Sequence, residues 1–182
     1  MSGFRSITPN ININTQSGQL RTELLNTFSR LDGQLGQAPY RLATQNGPVG
    51  NTGSGETDLM STTINYGTLT QLGASIVISA CGTTAANANN KTFKLKLGST
   101  TIFTSGAIAM NNKDWTFQGE IVYNGGSSQI NWGKFTYDGA SSIVDTNTTT
   151  EALANSVTLK FTGLGTATDD ISIYYYKAIL VN

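Results

Sequence analysis

The chain has 182 residues, 11 basic and 11 acidic, with no His and one Cys. This excludes His-dependent nucleophilic triads, His-ligated zinc or haem, an internal disulfide and Cys-rich metal clusters. The zero net charge gives no field for nucleic acid or an anionic membrane. Ser, Thr, Asn and Gly make up 80 of the 182 residues and charged residues only 12%, yet hydrophobic residues reach 38%. That balance predicts a packed, Thr-rich β protein rather than a disordered one. No apolar run approaches the ~20 residues of a membrane span, and no basic-then-apolar leader opens the chain.

Residues 1–15 (MSGFRSITPNININT) have no helical period and no cap. They are expected to form an extended arm, with Phe4, Arg5, Ile7, Ile11 and Ile13 as its contact residues. Over 16–36 the apolar residues Leu20, Leu24, Phe28, Leu31 and Leu35 are spaced 4, 4, 3 and 4. That is one helical stripe, with Thr15 or Ser17 to cap it and Gly36 then Pro39 to stop it. A helix this short needs a partner for its stripe, and self-association about a three-fold axis is the reading preferred over packing on its own domain. Residues 37–57 hold two of the three prolines and read as a Gly/Pro linker or strap. All four Arg precede residue 42 and all seven Lys follow residue 90, which marks the N-terminal third as a contact surface, since Arg makes multi-donor interface contacts better than Lys.

The β domain is expected over 58–182, with eight strands at 59–66, 73–81, 91–97, 100–104, 114–123, 129–137, 156–162 and 170–181. Alternation such as Phe93, Leu95 and Leu97 against Lys94 and Lys96 indicates antiparallel strands with one wet face. Turn signals include Asn111-Asn112, Asn124-Gly125-Gly126, Asp138-Gly139 and Asp169-Asp170. Ile130 and Trp132 are out of phase with Phe135 and Tyr137, which predicts a bulge at Gly133. The last strand is apolar on both faces, so Tyr174 and Tyr176 join the helix stripe as expected trimer contacts. The predicted class is mostly β: an antiparallel β-sandwich or jelly roll preceded by an arm and one short helix.

No constellation for catalysis emerges. Glu56/Asp58 and Asp169/Asp170 read as solvated turn acids, the glycines from Gly47 to Gly55 lack the Gly-Lys-Ser/Thr of a phosphate loop, and Cys81, without a His partner, reads as a small strand residue. No enzymatic activity, cofactor or metal is expected.

The segments Gly55-Glu56-Thr57-Asp58-Leu59-Met60 and Ala85-Ala86-Asn87-Ala88-Asn89-Asn90-Lys91-Thr92-Phe93-Lys94-Leu95, the lead-in to Trp115 and the Glu120–Tyr123 stretch resemble a β-sandwich module of tailed-bacteriophage virion proteins. The resemblance covers about residues 54–182. It implies a trimeric sandwich exposed on a virion, as in capsid cement proteins and in tail fibre or tailspike tips. A helix of ~20 residues spans only ~30 Å, which suits a low knob better than a fibre. The expected role is therefore a homotrimeric capsid cement protein on the outer capsid surface, made in the host cytoplasm and partnered by itself and the major capsid protein, with Phe4, Arg5, Ile7, Ile11 and Ile13 of the arm as the capsid-binding residues. The alternative is a host-receptor-binding tip with a host-surface glycan as partner.

Overall fold

The computed structural model describes residues 39–139 and 141–182. The predicted arm and helix lie outside the described residues, and with them Phe4, Arg5, Ile7, Ile11, Ile13, Leu20, Leu24, Phe28, Leu31 and Leu35. Among the described residues the strands are β1 (Tyr40–Gly50), β2 (Glu56–Ile64), β3 (Ser75–Thr84), β4 (Asn90–Leu97), β5 (Thr100–Thr104), β6 (Ile108–Ala109), β7 (Asp114–Tyr123), β8 (Ser128–Tyr137), β9 (Ser141–Thr150), β10 (Val157–Leu164) and β11 (Ile171–Val181). They form two antiparallel sheets, one ordered β1-β11-β3-β7-β8-β9 and one ordered β2-β10-β4-β5, with β6 paired to β4. The inward residues of both sheets join in one buried cluster, so the architecture is a β-sandwich.

Period-2 patterning sets which face is buried. Ile76 and Ile78 of β3, Phe93, Leu95 and Leu97 of β4, Trp115, Phe117 and Ile121 of β7, and Leu159 and Phe161 of β10 all point inward. Six rings meet at the centre, three from each sheet: Phe93, Phe103 and Phe161 against Trp115, Phe117 and Phe135. Phe161 stacks on Trp115 at 5.7 Å between centroids and meets Phe117 at 5.2 Å.

The bulge expected at Gly133 does not occur. β7 and β8 pair without a register shift from Trp115↔Tyr137 to Tyr123↔Gln129. Gly133 has a packing role instead: a Cβ there would lie 2.8 Å from the Phe103 ring and 3.1 Å from Phe117. Gly133→Ala is expected to cost about 1–3 kcal/mol by overpacking. Urea unfolding would measure this, and Phe103→Leu in the same chain should restore part of the loss. The unbroken register turns Gln129, Asn131 and Phe135 inward, and Ile130 and Trp132 outward.

The phase change lies in β11. Ile173 faces Gly82 and Tyr175 faces Cys81, so Tyr174 is an extra residue in that strand. The bulge places Ile171 and Ile173, then Tyr176, Ala178 and Leu180, on the same buried side. A strand that reads as apolar on both faces thus has one core face, and its other side carries Tyr175, Lys177 and Ile179 half-buried.

Two long strands lie where none was expected. The 37–57 strap contains β1, which pairs with β11 and absorbs its awkward residues in irregularities at Leu42 and at Gly47-Pro48, where Gly47 has φ +116°. β9 follows the Asp138-Gly139 turn, both of whose residues have positive φ, and pairs with β8 along its whole length. Its Asp145 lies opposite Gly133, on the sandwich side of the sheet. Asn147 Nδ2 donates to the Ile102 carbonyl at 2.6 Å, tying β9 to β5 of the other sheet. Ile102 is the extra residue of a bulge in the β4/β5 pairing.

Candidate functional site

Of the carboxylates singled out by sequence, Asp170, Glu56 and Asp58 are engaged with protein groups, while Asp169 is an exposed turn residue with φ +60°. Asp170 is buried and accepts from Asn87 Nδ2 at 2.6 Å, Thr166 N at 2.7 Å, Thr166 Oγ1 at 2.8 Å and Ala167 N at 2.9 Å. Burial pushes its pKa up, but these hydrogen bonds, led by the Asn87 side chain, outweigh it and hold the carboxyl down at about 2. Lys91 is fully buried, and its Nζ donates to Asn87 Oδ1 at 2.6 Å and to the carbonyls of Met110 at 2.7 Å and of Asn87 and Asn89 at 3.0 Å. Burial lowers its pKa, opposed by the Asp170 charge. Asn87 therefore couples a buried cation to a buried anion. Asn51, also buried, completes this end of the sandwich by donating to the Ala167 carbonyl and accepting from Ile171 N.

Glu56 and Asp58 correct a second expectation. They are outward-facing strand residues of β2, not turn acids. Glu56 pairs with Lys94 at 2.6 Å and Lys96 at 2.9 Å, and Asp58 with Lys160 at 2.6 Å. Despite partial burial, these lysines and the Thr162 hydroxyl bring Glu56 down to about 2. The outer face of the smaller sheet is thus an ion-pair lattice. Cys81 is a half-buried strand residue between Tyr175 and Thr116.

Tyr174 and Tyr176, both expected at a trimer contact, separate. Tyr174 is exposed and its Oη accepts from Thr83 Oγ1 at 3.4 Å. Tyr176 is a core residue, 1% exposed, because the β11 bulge turns it inward. Burial pushes its phenol above the usual range.

The outer face of the six-stranded sheet is chemically different from the lattice opposite. Register places Glu120 of β7 directly opposite Trp132 of β8, and Gln118 opposite Lys134. Across the next ladder Trp132 lies opposite Thr146 and Lys134 opposite Val144. Trp132 Nε1 donates to Glu120 Oε2 at 3.0 Å, so the indole leans over β7. Ile130, Trp132 and Val144 are exposed large hydrophobics on this face. Sequence patterning conceals this patch, because alternation alone places Ile130 and Trp132 in the core and gives no signal for β9. The available signal was the pair of amides at 129 and 131. On the buried side, Gln129 donates to the Ser127 and Glu151 carbonyls and accepts from Glu151 N. Asn131 donates to Asn147 Oδ1 and Thr149 Oγ1. At the far end of the same sheet, Pro39, Arg41, Lys177 and Ile179 line a shallow depression.

No family model matches the chain. No curated protein matches it either. Among solved structures, the CBM2 module of the evolved Dit of Lactobacillus casei BL23 phage J-1 aligns at a TM-score of 0.42 and 12% identity, covering 80% of this chain and 97% of that one.

Proposed function

We propose that the chain is a structural module of a tailed-phage virion, acting as a homotrimeric capsid cement protein on the outer shell. One observation carries this reading. The Ala85–Leu95 segment, on which the resemblance to virion sandwich modules chiefly rests, supplies Asn87, Asn89 and Lys91 to the buried polar hub with Asp170. A motif whose residues build buried polar contacts of the scaffold supports the same sandwich module where the motif recurs. As a cement protein the chain works by mass action: binding the assembled shell and not its separate parts stabilises the assembled state, and three copies of one contact add avidity.

Antibody labelling of intact virions, viewed by electron microscopy, tests the location. Label spread over the whole shell supports cement; label confined to the tail vertex replaces it with a tail role. The trimer has its own test. Phe28→Asp is expected to convert a sedimenting trimer to monomers while leaving the β-sheet circular dichroism unchanged. A persistent trimer would remove the predicted helix stripe from the interface.

The outer face of the six-stranded sheet favours a second reading, attachment to a host-surface glycan. An exposed indole anchored to a carboxylate is a feature that shell binding does not require.

A further inference from the structure

We propose that Trp132, Glu120, Gln118 and Lys134 form a platform for a neutral, extended polysaccharide, with a pyranose ring stacked on the Trp132 indole. The proposal rests on the second reading above and names its ligand class and residues.

The indole is anchored. Its N–H is held by Glu120 on the neighbouring strand, and at 39% exposure part of its surface remains open to solvent. A ring leaning over a sheet presents a flat apolar face with little rotamer entropy left to lose on binding. The axial C–H face of a pyranose matches such a surface. Hydrogen-bonding groups surround it at sheet spacings: strands lie about 4.8 Å apart, and same-face residues along one strand about 7 Å apart. The Gln118/Lys134 pair is one such step from the Glu120/Trp132 pair, and Thr146 lies beside the indole on β9. An amide, a hydroxyl, an ammonium and the second oxygen of the Glu120 carboxylate together offer donors and acceptors for sugar hydroxyls.

Two further features narrow the ligand. Beside the indole one acid, Glu120, and one base, Lys134, balance the charge, with the next cation of that register row, Lys177, three strands from Lys134; a balanced stacking site favours a neutral glycan over an anionic one. The residues sit on a strand face rather than in a cleft, which favours a chain lying across the sheet over a small molecule enclosed in a pocket. A second copy of this protein is a weaker occupant. The exposed large apolar side chains here are Ile130, Trp132 and Val144, with half-buried Val122 opposite Ile130 and Val77 opposite Glu120, set among Thr, Gln, Glu and Lys, whereas a stable protein interface buries about 1,200–2,000 Å² around an apolar core.

The chain carries its own probe. It has two tryptophans; Trp115 is 1% exposed and Trp132 is 39% exposed, so the red-edge emission belongs to Trp132. The purified full chain is titrated with neutral hexasaccharides of α-glucose, β-glucose, galactose and N-acetylglucosamine, with a galacturonate hexamer as the acidic control. At least one neutral hexamer is expected to shift or quench the red-edge emission. Trp132→Ala and Gln118→Ala are each expected to weaken that binding at least about tenfold by calorimetry, with an unchanged urea midpoint. Silence from every neutral hexamer at about 10 mM overturns the proposal, as does equal or tighter binding of the acidic control. Trp132→Ala that dissociates an oligomer and leaves sugar binding intact reassigns the face to contact between copies. The titration uses isolated protein, so its outcome is separate from where the chain sits on a particle.

Discussion

Asp170→Ala is expected to destabilise the fold by about 3–5 kcal/mol, the range for removing one partner from a buried charged network. The substitution strands the Asn87 amide, the Thr166 and Ala167 N–H groups and the Thr166 hydroxyl, all of which donate to Asp170. It also leaves the buried Lys91 ammonium without its compensating charge. Asp170→Asn, which keeps one acceptor oxygen, should lose about half as much, and urea unfolding at neutral pH ranks the two. The same group predicts a pH effect. Its folded pKa of about 2 lies below the unfolded value near 3.9, so the folded state holds the carboxylate more strongly. The associated stability, about 2 kcal/mol, is present above about pH 4 and is lost as pH falls toward about 2. Glu56 titrates in the same window, also at about 2. Comparing Asp170→Asn with Glu56→Gln in acid unfolding separates them. Glu56 is lowered further, from 4.5 against 3.8 for Asp170, but its partly exposed ion pairs are screened by solvent, so acid sensitivity should fall in both variants and at least as far in Asp170→Asn.

Phe161→Ala should cost a similar amount, about 3–5 kcal/mol, for a different reason. Phe161 is fully buried and lies within 6.4 Å, centroid to centroid, of Phe93, Trp115 and Phe117. Removing its ring leaves a cavity bounded by rings from both sheets, which cannot close over it without moving a strand. Thermal unfolding should show the loss, and the near-ultraviolet circular dichroism of Trp115 should weaken because its stacking partner is gone. A loss under 1 kcal/mol would mean that the sheets slide together easily and that the aromatic centre is not the rigid part of the core.

Where side chains alternate cleanly, the strands were legible in the sequence. The 114–123 boundaries match β7 because Trp115, Phe117 and Ile121 alternate with polar outward residues; 100–104 matches β5 through its bounding turns, although its bulge puts adjacent Ile102 and Phe103 both inside. β1 was hidden because Gly47, Pro48 and Gly50 are turn residues by propensity, and only the full-length partner β11 makes them a strand. β9 was hidden because Ile143 is followed at its inward positions by Asp145, Asn147 and Thr149, of which Asn147 and Thr149 satisfy Gln129, Asn131 and the Ile102 carbonyl rather than apolar surface. A polar lining inverts the usual rule locally and pushes Ile130 and Trp132 outside. For that reason the candidate glycan face could not be read from patterning, although all its residues were visible. The phase break between Ile130/Trp132 and Phe135/Tyr137 marks inward amides at Gln129 and Asn131 rather than a bulge, and the bulge at Tyr174 of β11 leaves no phase break visible in the sequence. An alternating strand records its faces in sequence, but a bulge is recorded only in the pairing with its neighbours.

The two margins of the larger sheet have a consequence for crowding. β1 is broken by two irregularities and carries Pro48, which has no N–H to offer. β9 turns the carboxylate-bearing Asp145 toward the sandwich side and carries only Thr and Asn from Thr146 to Thr150. Both are devices that discourage strand addition. In any crowded array of identical chains, flat, complementary margins would zip together into fibres. In the coat proposed above, lateral order among copies would therefore have to come from faces and loops rather than from these two strands.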